Sequence, residues 1–393
     1  MQPSDRCASA LPGTPLLHFL IALVASALTT LLLVRFSRRL ERLKTDRHFG
    51  QPQKFHAAPV PRIGGVGIVV GVLGAAVLST LGPPGSSLAL VVLLCSLPVL
   101  VLGLVEDLRN SVSPAIRLGA AACAAALCIW LADATIVHTA IPGLDWIVAT
   151  TVGSVLVTLL AVTGIVHAIN IVDGFNGLAS MCAALMLGAI AYVAYQVDDV
   201  TIAVLALAGL GGVLGFFFWN FPAGLIFLGD GGAYFLGFLI AELGILLVRR
   251  NASEVSPLFP LLVCIYPAFE TLFSIYRRMF LRALPASMPD GIHLHSLVYR
   301  RLLRWAVGDR SARALTRRNS LTAPYLWVLC MLSLLPALLF WNNDLLLGLA
   351  LLLFGFSYVI IYWRIVRFRS PRWLRMKLPM AIRPNSTDKR SDR

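Results

Sequence analysis

AINIVDGFNGLAS, residues 168–180, decides how this chain is read. It lies between two long apolar runs, about 146–166 and 178–197, yet carries Asn170, Asp173 and Asn176 at three-residue intervals, with Gly174 and Gly177 among them. In a helical backbone that spacing puts the three polar side chains on one face. The glycines permit a close approach or a left-handed turn. A carboxylate and two carboxamides at the edge of an apolar run can serve a metal, a phosphate-bearing ligand or one another. A charged residue in such a place is a functional-site candidate, with helix capping as the other reading of Asp173.

The flanking runs are part of a pattern that covers the chain. Its 393 residues are 58% hydrophobic and 13% charged, against about 25% charged in a soluble domain, and the mean hydropathy is +0.81. That composition excludes a large soluble domain and indicates an all-α polytopic membrane protein. A spanning helix needs about 20 mostly apolar residues, and apolar runs fall near 15–34, 63–82, 88–104, 115–132, 146–166, 178–197, 200–219, 231–248, 257–276, 322–341 and 344–363. Eleven transmembrane helices are expected. The seven cysteines lack metal-ligand spacing, and all but Cys7 lie in apolar runs, as membrane packing residues do.

Charge sets the expected orientation. Only Asp5 and Arg6 precede the first run, which reads as an uncleaved first helix with the N-terminus outside. On strict alternation the inside segments carry seven Lys or Arg in 36–62, two in 105–117, ten in 277–323 and nine in 365–393, which is 28 of the 33. The net charge of +14 therefore reports orientation and attraction to anionic membrane lipid rather than nucleic-acid binding. The expected organisation is a periplasmic segment 1–14, a transmembrane domain 15–364 and a basic cytoplasmic tail 365–393. Its cytoplasmic loops are 36–62, 105–114, 167–177, 220–230 and 277–321.

Polar residues collect on that side. His56 and Arg62 precede Gly64 and Gly65, whose amides read either as a phosphate cradle or as a Pro-Gly turn. Glu106 and Asp107 are adjacent acids that call for a divalent cation or neutralising bases, and Arg109 and Arg117 are near in sequence. Asn220 and Pro222 break an apolar run, and Phe227 stands three residues before Asp230, which two glycines follow. Asp230 reads as a ligand for a hard cation such as Mg²⁺ or as a helix cap. Glu270 stands seven residues before Arg277, on about the same helical face, and reads as a buried acid with a polar neighbour. His293 and His295 precede Arg300, Arg301 and Arg304, a basic density suited to an anion. A transporter would place its substrate site near the bilayer midplane; here the acids mark one face.

In this order the motifs PRIGG (61–65), VEDL (105–108), NIVDGFNGL (170–178), FLGDGG (227–232) and HLH (293–295) resemble those of the polyprenyl-phosphate N-acetylhexosamine-1-phosphate transferases. This membrane family, in glycosyltransferase family 4, includes the phospho-N-acetylmuramoyl-pentapeptide translocase and the enzymes that start O-antigen and teichoic-acid linkage synthesis. The resemblance implies transfer of a sugar 1-phosphate from a UDP-N-acetylhexosamine to undecaprenyl phosphate with release of UMP, on the cytoplasmic face of a bacterial inner membrane. It implies Mg²⁺, or Mn²⁺ in its place, on Asp230, with Glu106 and Asp107 orienting or deprotonating the lipid phosphate. Asn170, Asp173 and Asn176 would line the nucleotide-sugar site, Asn220 and Phe227 the uridine, and His293, His295 and Arg301 the diphosphate or sugar. The competing class is a transporter or flippase of nucleotide- or lipid-linked sugars. A homo-oligomer is compatible with either.

The chain departs from the family pattern at three positions. Glu106 stands where an aspartate is common, Asn176 where a second aspartate is common, and Ser296 where a third histidine is common. The second departure removes a carboxylate and points to hydrogen bonding at 176.

Overall fold

The computed structural model describes residues 14–37, 60–80, 88–109, 111–281, 292–303 and 312–367. Among them the chain is all-helical, with no strand. The helices are α1 (Thr14–Ser37), α2 (Gly65–Ser79), α3 (Leu88–Cys95), α4 (Leu97–Arg109), α5 (Pro114–Ala132), α6 (Leu144–Val148), α7 (Thr151–Val172) and α8 (Leu178–Gln196). They continue as α9 (Val200–Asn220), α10 (Gly229–Arg250), α11 (Leu258–Val263), α12 (Ile265–Tyr276), α13 (Leu294–Leu297), α14 (Ala312–Leu339) and α15 (Asp344–Val366). Wider π-helical turns, Arg277–Leu281 and Val298–Leu302, follow α12 and α13.

Eight of the described helices are long and apolar enough to cross a membrane, which makes the molecule a multi-pass membrane protein. α3 and α4 form a ninth apolar unit, bent by 41°. The bend falls at Ser96, whose hydroxyl donates to the Leu93 carbonyl at 2.7 Å, just before Pro98, which lacks an amide donor. α2, with 15 residues, and the α11–α12 pair are apolar but shorter. The segment 277–321, expected as a loop, instead contains α13, the two π-helical turns and the first ten residues of α14. Its basic residues mark polarity, and arginine is a good helix former.

α10 is the axis of the bundle, with every residue from Gly229 to Leu247 buried. Glycine contacts make that possible. The Cβ of any other residue at Gly65 would lie 2.3 Å from the Gly232 Cα, and one at Gly103 would lie 2.5 Å from the Gly231 Cα. α2 and α4 therefore meet the first turn of α10 backbone to backbone, the small-residue packing that membrane helices use. This close approach brings Arg62, at the entry to α2, and Asp107, near the end of α4, to one place.

Candidate active site

The site is built around the first turn of α10. A helix start leaves its first amides without intrahelical partners, and here a side chain from another helix takes them. Asp107 accepts from the Asp230 N–H at 2.8 Å through Oδ1 and from the Gly231 N–H at 2.9 Å through Oδ2. Gly229 supplies the turn into the helix, with φ at 78°. A Cβ there would fall 2.1 Å from the Arg62 carbonyl oxygen and 2.6 Å from Asp107 Oδ2.

The capped turn presents Asp230, whose carboxylate collects groups from three other segments. Arg62 donates to its Oδ1 at 3.2 Å and Asn170, near the end of α7, donates to the same oxygen at 3.0 Å. Arg117 of α5 lies 3.8 Å from Oδ2. Arg62 also stands 3.9 Å from Asp107, and Arg117 stands 3.5 Å from Glu106. Glu106 in turn accepts from the Val112 N–H at 2.7 Å, closing the turn between α4 and α5. Two guanidiniums thus hold acids from two motifs that lie more than a hundred residues apart in sequence.

Asp173, just past the end of α7, is the unmatched member of the group. It is half-buried, and no hydrogen bond reaches its carboxylate among the described residues. Burial, reinforced by the negative charge of Asp230 and opposed by Arg62, pushes its pKa up to about 7. A carboxylate without a partner beside a second one is a place that favours a cation. No three His, Cys, Asp or Glu side chains among the described residues are arranged to hold a metal by themselves. The donor set still fits Mg²⁺, which takes one or two carboxylates and completes its shell with water and substrate phosphates. Asp230 and Asp173 are the residues that would hold it.

The histidine segment reaches the same turn from the other side. His293 and His295 are buried, and their rings stack with centroids 5.1 Å apart. His295 meets Phe175 edge-on at 5.5 Å, and a Cβ at Gly174 would lie 3.4 Å from His295 Nε2. His293 Nδ1 lies 3.1 Å from Glu270 Oε1. Glu270 therefore pairs with His293 rather than with Arg277, which donates to the Ile292 carbonyl at 3.0 Å and the Tyr362 hydroxyl at 2.6 Å.

Other residues singled out in the sequence have structural partners instead. The amides of Gly64 and Gly65 donate to the carbonyls of Phe227 and Leu228, each at 2.9 Å, and the Phe227 N–H donates to the Pro61 carbonyl at 2.9 Å. These amides are spent on backbone pairing and form no phosphate cradle. Asn220 uses both ends of its amide, accepting from the Gly177 N–H at 2.6 Å and donating to the Ile226 carbonyl at 2.8 Å. It clamps two loops. Asn176 is 2% exposed, with its amide nitrogen 3.3 Å from both the Pro222 carbonyl and the Ser320 hydroxyl, and its own N–H donates to Asn319 at 2.8 Å. It ties the turn to α14 and to the 221–224 segment, and its Oδ1 is buried with no hydrogen-bond partner among the described residues. Arg301 donates to the terminal carbonyls of α15, Ile365 at 3.1 Å and Val366, where cations suit the helix dipole. Phe227 is half-buried. His56 lies outside the described residues, as does the tail beyond residue 367.

Sequence reasoning passed over Tyr234, Asn319, Ser320 and Tyr358, which look like ordinary membrane-helix polar residues until their partners are seen. Tyr234, one turn after Asp230, lies beside Arg117; its four-residue spacing from Asp230 was the available signal.

The model of glycosyl transferase family 4 matches residues 89–248, from α3 to α10. A Bacillus subtilis protein named as a probable undecaprenyl-phosphate N-acetylglucosaminyl 1-phosphate transferase is 30% identical over 291 residues, which cover 71% of this chain and 77% of the relative. The chain belongs to glycosyl transferase family 4. The phospho-N-acetylmuramoyl-pentapeptide-transferase of Moorella thermoacetica is 31% identical to this family 4 chain over 255 residues, 60% of the chain and 76% of the relative. An undecaprenyl-phosphate alpha-N-acetylglucosaminyl 1-phosphate transferase of Thermotoga maritima is 27% identical over 284 residues, 72% of the chain and 81% of the relative. The family 4 match contains Glu106, Asp107, Asn170, Asp173, Asn176, Asn220 and Asp230, whereas Arg62 and the histidine segment lie outside its bounds.

Proposed function

We propose that this protein transfers an N-acetylhexosamine 1-phosphate from a UDP-sugar to undecaprenyl phosphate, releasing UMP and leaving a lipid-linked diphosphate sugar for cell-envelope polysaccharide synthesis. The supporting observation is the Asp230 carboxylate at a helix start, shared by Arg62, Arg117 and Asn170 and faced by the unpartnered Asp173. The names of the relatives supply the polyprenyl phosphate and the sugar.

In the reaction an oxygen of the lipid phosphate bonds to the phosphorus that carries the sugar. The bond from that phosphorus to the bridging oxygen breaks, and UMP leaves with that oxygen. The attacking monoester has a second pKa near ~6, so it is already mostly dianionic at neutral pH and needs no strong base. The task is to bring anions together. Arg62 and Arg117, held in place by acids, put positive charge at the point of transfer. Asp230 and Asp173 would hold Mg²⁺, which would supply further neutralisation of the crowded phosphates. Asp107 acts through Asp230: with both oxygens on backbone amides it fixes the helix start, a different task from orienting the lipid phosphate. The stacked histidines offer ring N–H groups beside the 173–175 turn.

The Lys and Arg distribution supports eleven passes with the N-terminus outside, the C-terminus inside and the site on the cytoplasmic face. On this topology α2, the bent α3–α4 pair and the α11–α12 pair each make one pass.

The test is UMP release by the purified full-length protein in detergent, with undecaprenyl phosphate, Mg²⁺ and a panel of labelled UDP-N-acetylhexosamines. Acceptor-dependent UMP formation with one donor is expected. Release with none of them, together with uptake of a sugar nucleotide into sealed vesicles, would favour a transporter.

A further inference from the structure

Glu270 is a buried acid outside the Asp230 group with both carboxylate oxygens partnered, and the transfer chemistry gives it no task. It is 1% exposed. Its Oε1 faces His293 Nδ1 at 3.1 Å and accepts from the Leu294 N–H at 2.9 Å, while its Oε2 accepts from the Tyr358 hydroxyl at 2.7 Å. Tyr358 is itself fully buried, and its ring packs edge-on against Phe269 and Phe273 at 5.0 and 5.6 Å. The carboxylate is therefore fixed by α15 on one side and by the start of α13 on the other.

An ionised carboxylate only accepts. The ring nitrogen that faces it must carry the hydrogen, so His293 is held with Nδ1–H and its exchangeable position is Nε2. The same carboxylate stands within reach of a charge-assisted hydrogen bond to a His293 imidazolium. The remaining charged or titratable neighbours are few. Tyr266 lies beside Glu270, Arg277 and Tyr362 meet at the Ile292 carbonyl, and His295 stacks on the ring itself. The stack leads outward to Phe175 and Gly174, next to Asp173.

We propose that Glu270 is a positioning residue, which with Tyr358 fixes the tautomer of His293 and sustains its imidazolium, so that the histidine pair meets the anionic donor as a cation. This rests on the transferase reading, which supplies the anionic donor.

The test has two arms. In substrate-free, full-length protein carrying ¹⁵N-labelled histidine, the His293 ring, assigned by its loss in His293→Gln, is titrated by NMR. Glu270→Gln is expected to lower the ring's midpoint by about one pH unit or more, a tenfold loss of proton affinity, and Glu270→Asp is expected to restore part of it. In the second arm, the kcat ratio of wild type to Glu270→Gln is expected to grow as pH rises from about 6 to about 8. An unchanged ring titration, with a loss of activity uniform in pH, would overturn the proposal. A shifted titration in a protein that uses no UDP-sugar would instead leave the positioning role standing and remove the transferase reading. If Glu270→Gln does not fold, the Glu270→Asp titration decides, since a shorter arm must move the midpoint down and a spectator must not.

Discussion

Two regions drawn from neighbouring stretches of the sequence use polar side chains for opposite ends. Around Asn176 and Asn220, carboxamides are buried and engaged with backbone or neighbouring side chains, tying the 173–177 turn to the 220–226 segment and to α14. Around Asp230 the acids converge on one spot, where the neutralising groups are two half-buried guanidiniums and one carboxylate lacks a hydrogen bond. The first region is satisfied without a ligand except at Asn176 Oδ1 and Asn319 Nδ2, which are buried with no hydrogen-bond partner among the described residues. The second is a concentration of charge that an additional cation or anion would complete. Buried neutral amides engaged with backbone set a structure; charges gathered at one spot are where a charged ligand goes.

The sharpest way to break this contrast is Asp230→Asn, expected to lower kcat about a thousandfold while the melting temperature stays within a few degrees of wild type. Asp107→Ala comes next and should fail on both counts. It leaves two amides at the start of α10 unpaired and Arg62 short of an acid, so a stability loss of about 2 kcal/mol is expected with a roughly hundredfold loss of activity, read by thermal melting and UMP release on one preparation.

Asp173 sharpens the contrast through pH. Its raised pKa means that protonation competes with a cation up to about pH 7. The Mg²⁺ concentration for half-maximal activity should therefore fall by up to about tenfold per unit as pH rises towards 7, then level off. The sign for stability is opposite to that of a salt-bridged acid. An acid raised from 3.8 to about 7 costs the metal-free fold nothing below the lower value and progressively more up to the higher. Asp173→Asn should then raise the metal-free melting temperature at pH 8 and leave it unchanged at pH 4.

Asn220→Ala tests the other region. With the Gly177 N–H and the Ile226 carbonyl unpaired, stability should drop by about 2 kcal/mol, while kcat per folded molecule stays within about threefold of wild type. Arg301→Ala should have the smallest effect, about 1 kcal/mol from the lost helix-end bonds, with turnover almost unchanged.

The helical class and the importance of Asp230 were legible in the sequence because a charge among apolar residues is costly wherever it is placed. The partners were less so. Arg62 stands 168 residues before Asp230, and only the glycine contacts of α2 and α4 with α10 bring the two together. Asn176 and Asn220 illustrate a related ambiguity: a carboxamide at a membrane edge has the same sequence signature whether it binds a ligand or clamps a loop. Gly64 and Gly65 show this at the backbone, where a close helix crossing and a phosphate cradle demand the same residue. Glu270 could be flagged as a lone buried acid, but its sequence neighbour Arg277 suggested the wrong partner.

The central claim is that charge at Asp230 performs chemistry rather than holding the fold. Single-turnover UMP release by Asp230→Asn, measured beside its melting temperature in the same detergent and at saturating Mg²⁺, tests it most directly. The expected result is a rate reduced about a thousandfold in a protein that melts like wild type. A wild-type rate with unchanged Mg²⁺ dependence, or a loss of rate that only follows a loss of folded protein, would contradict it.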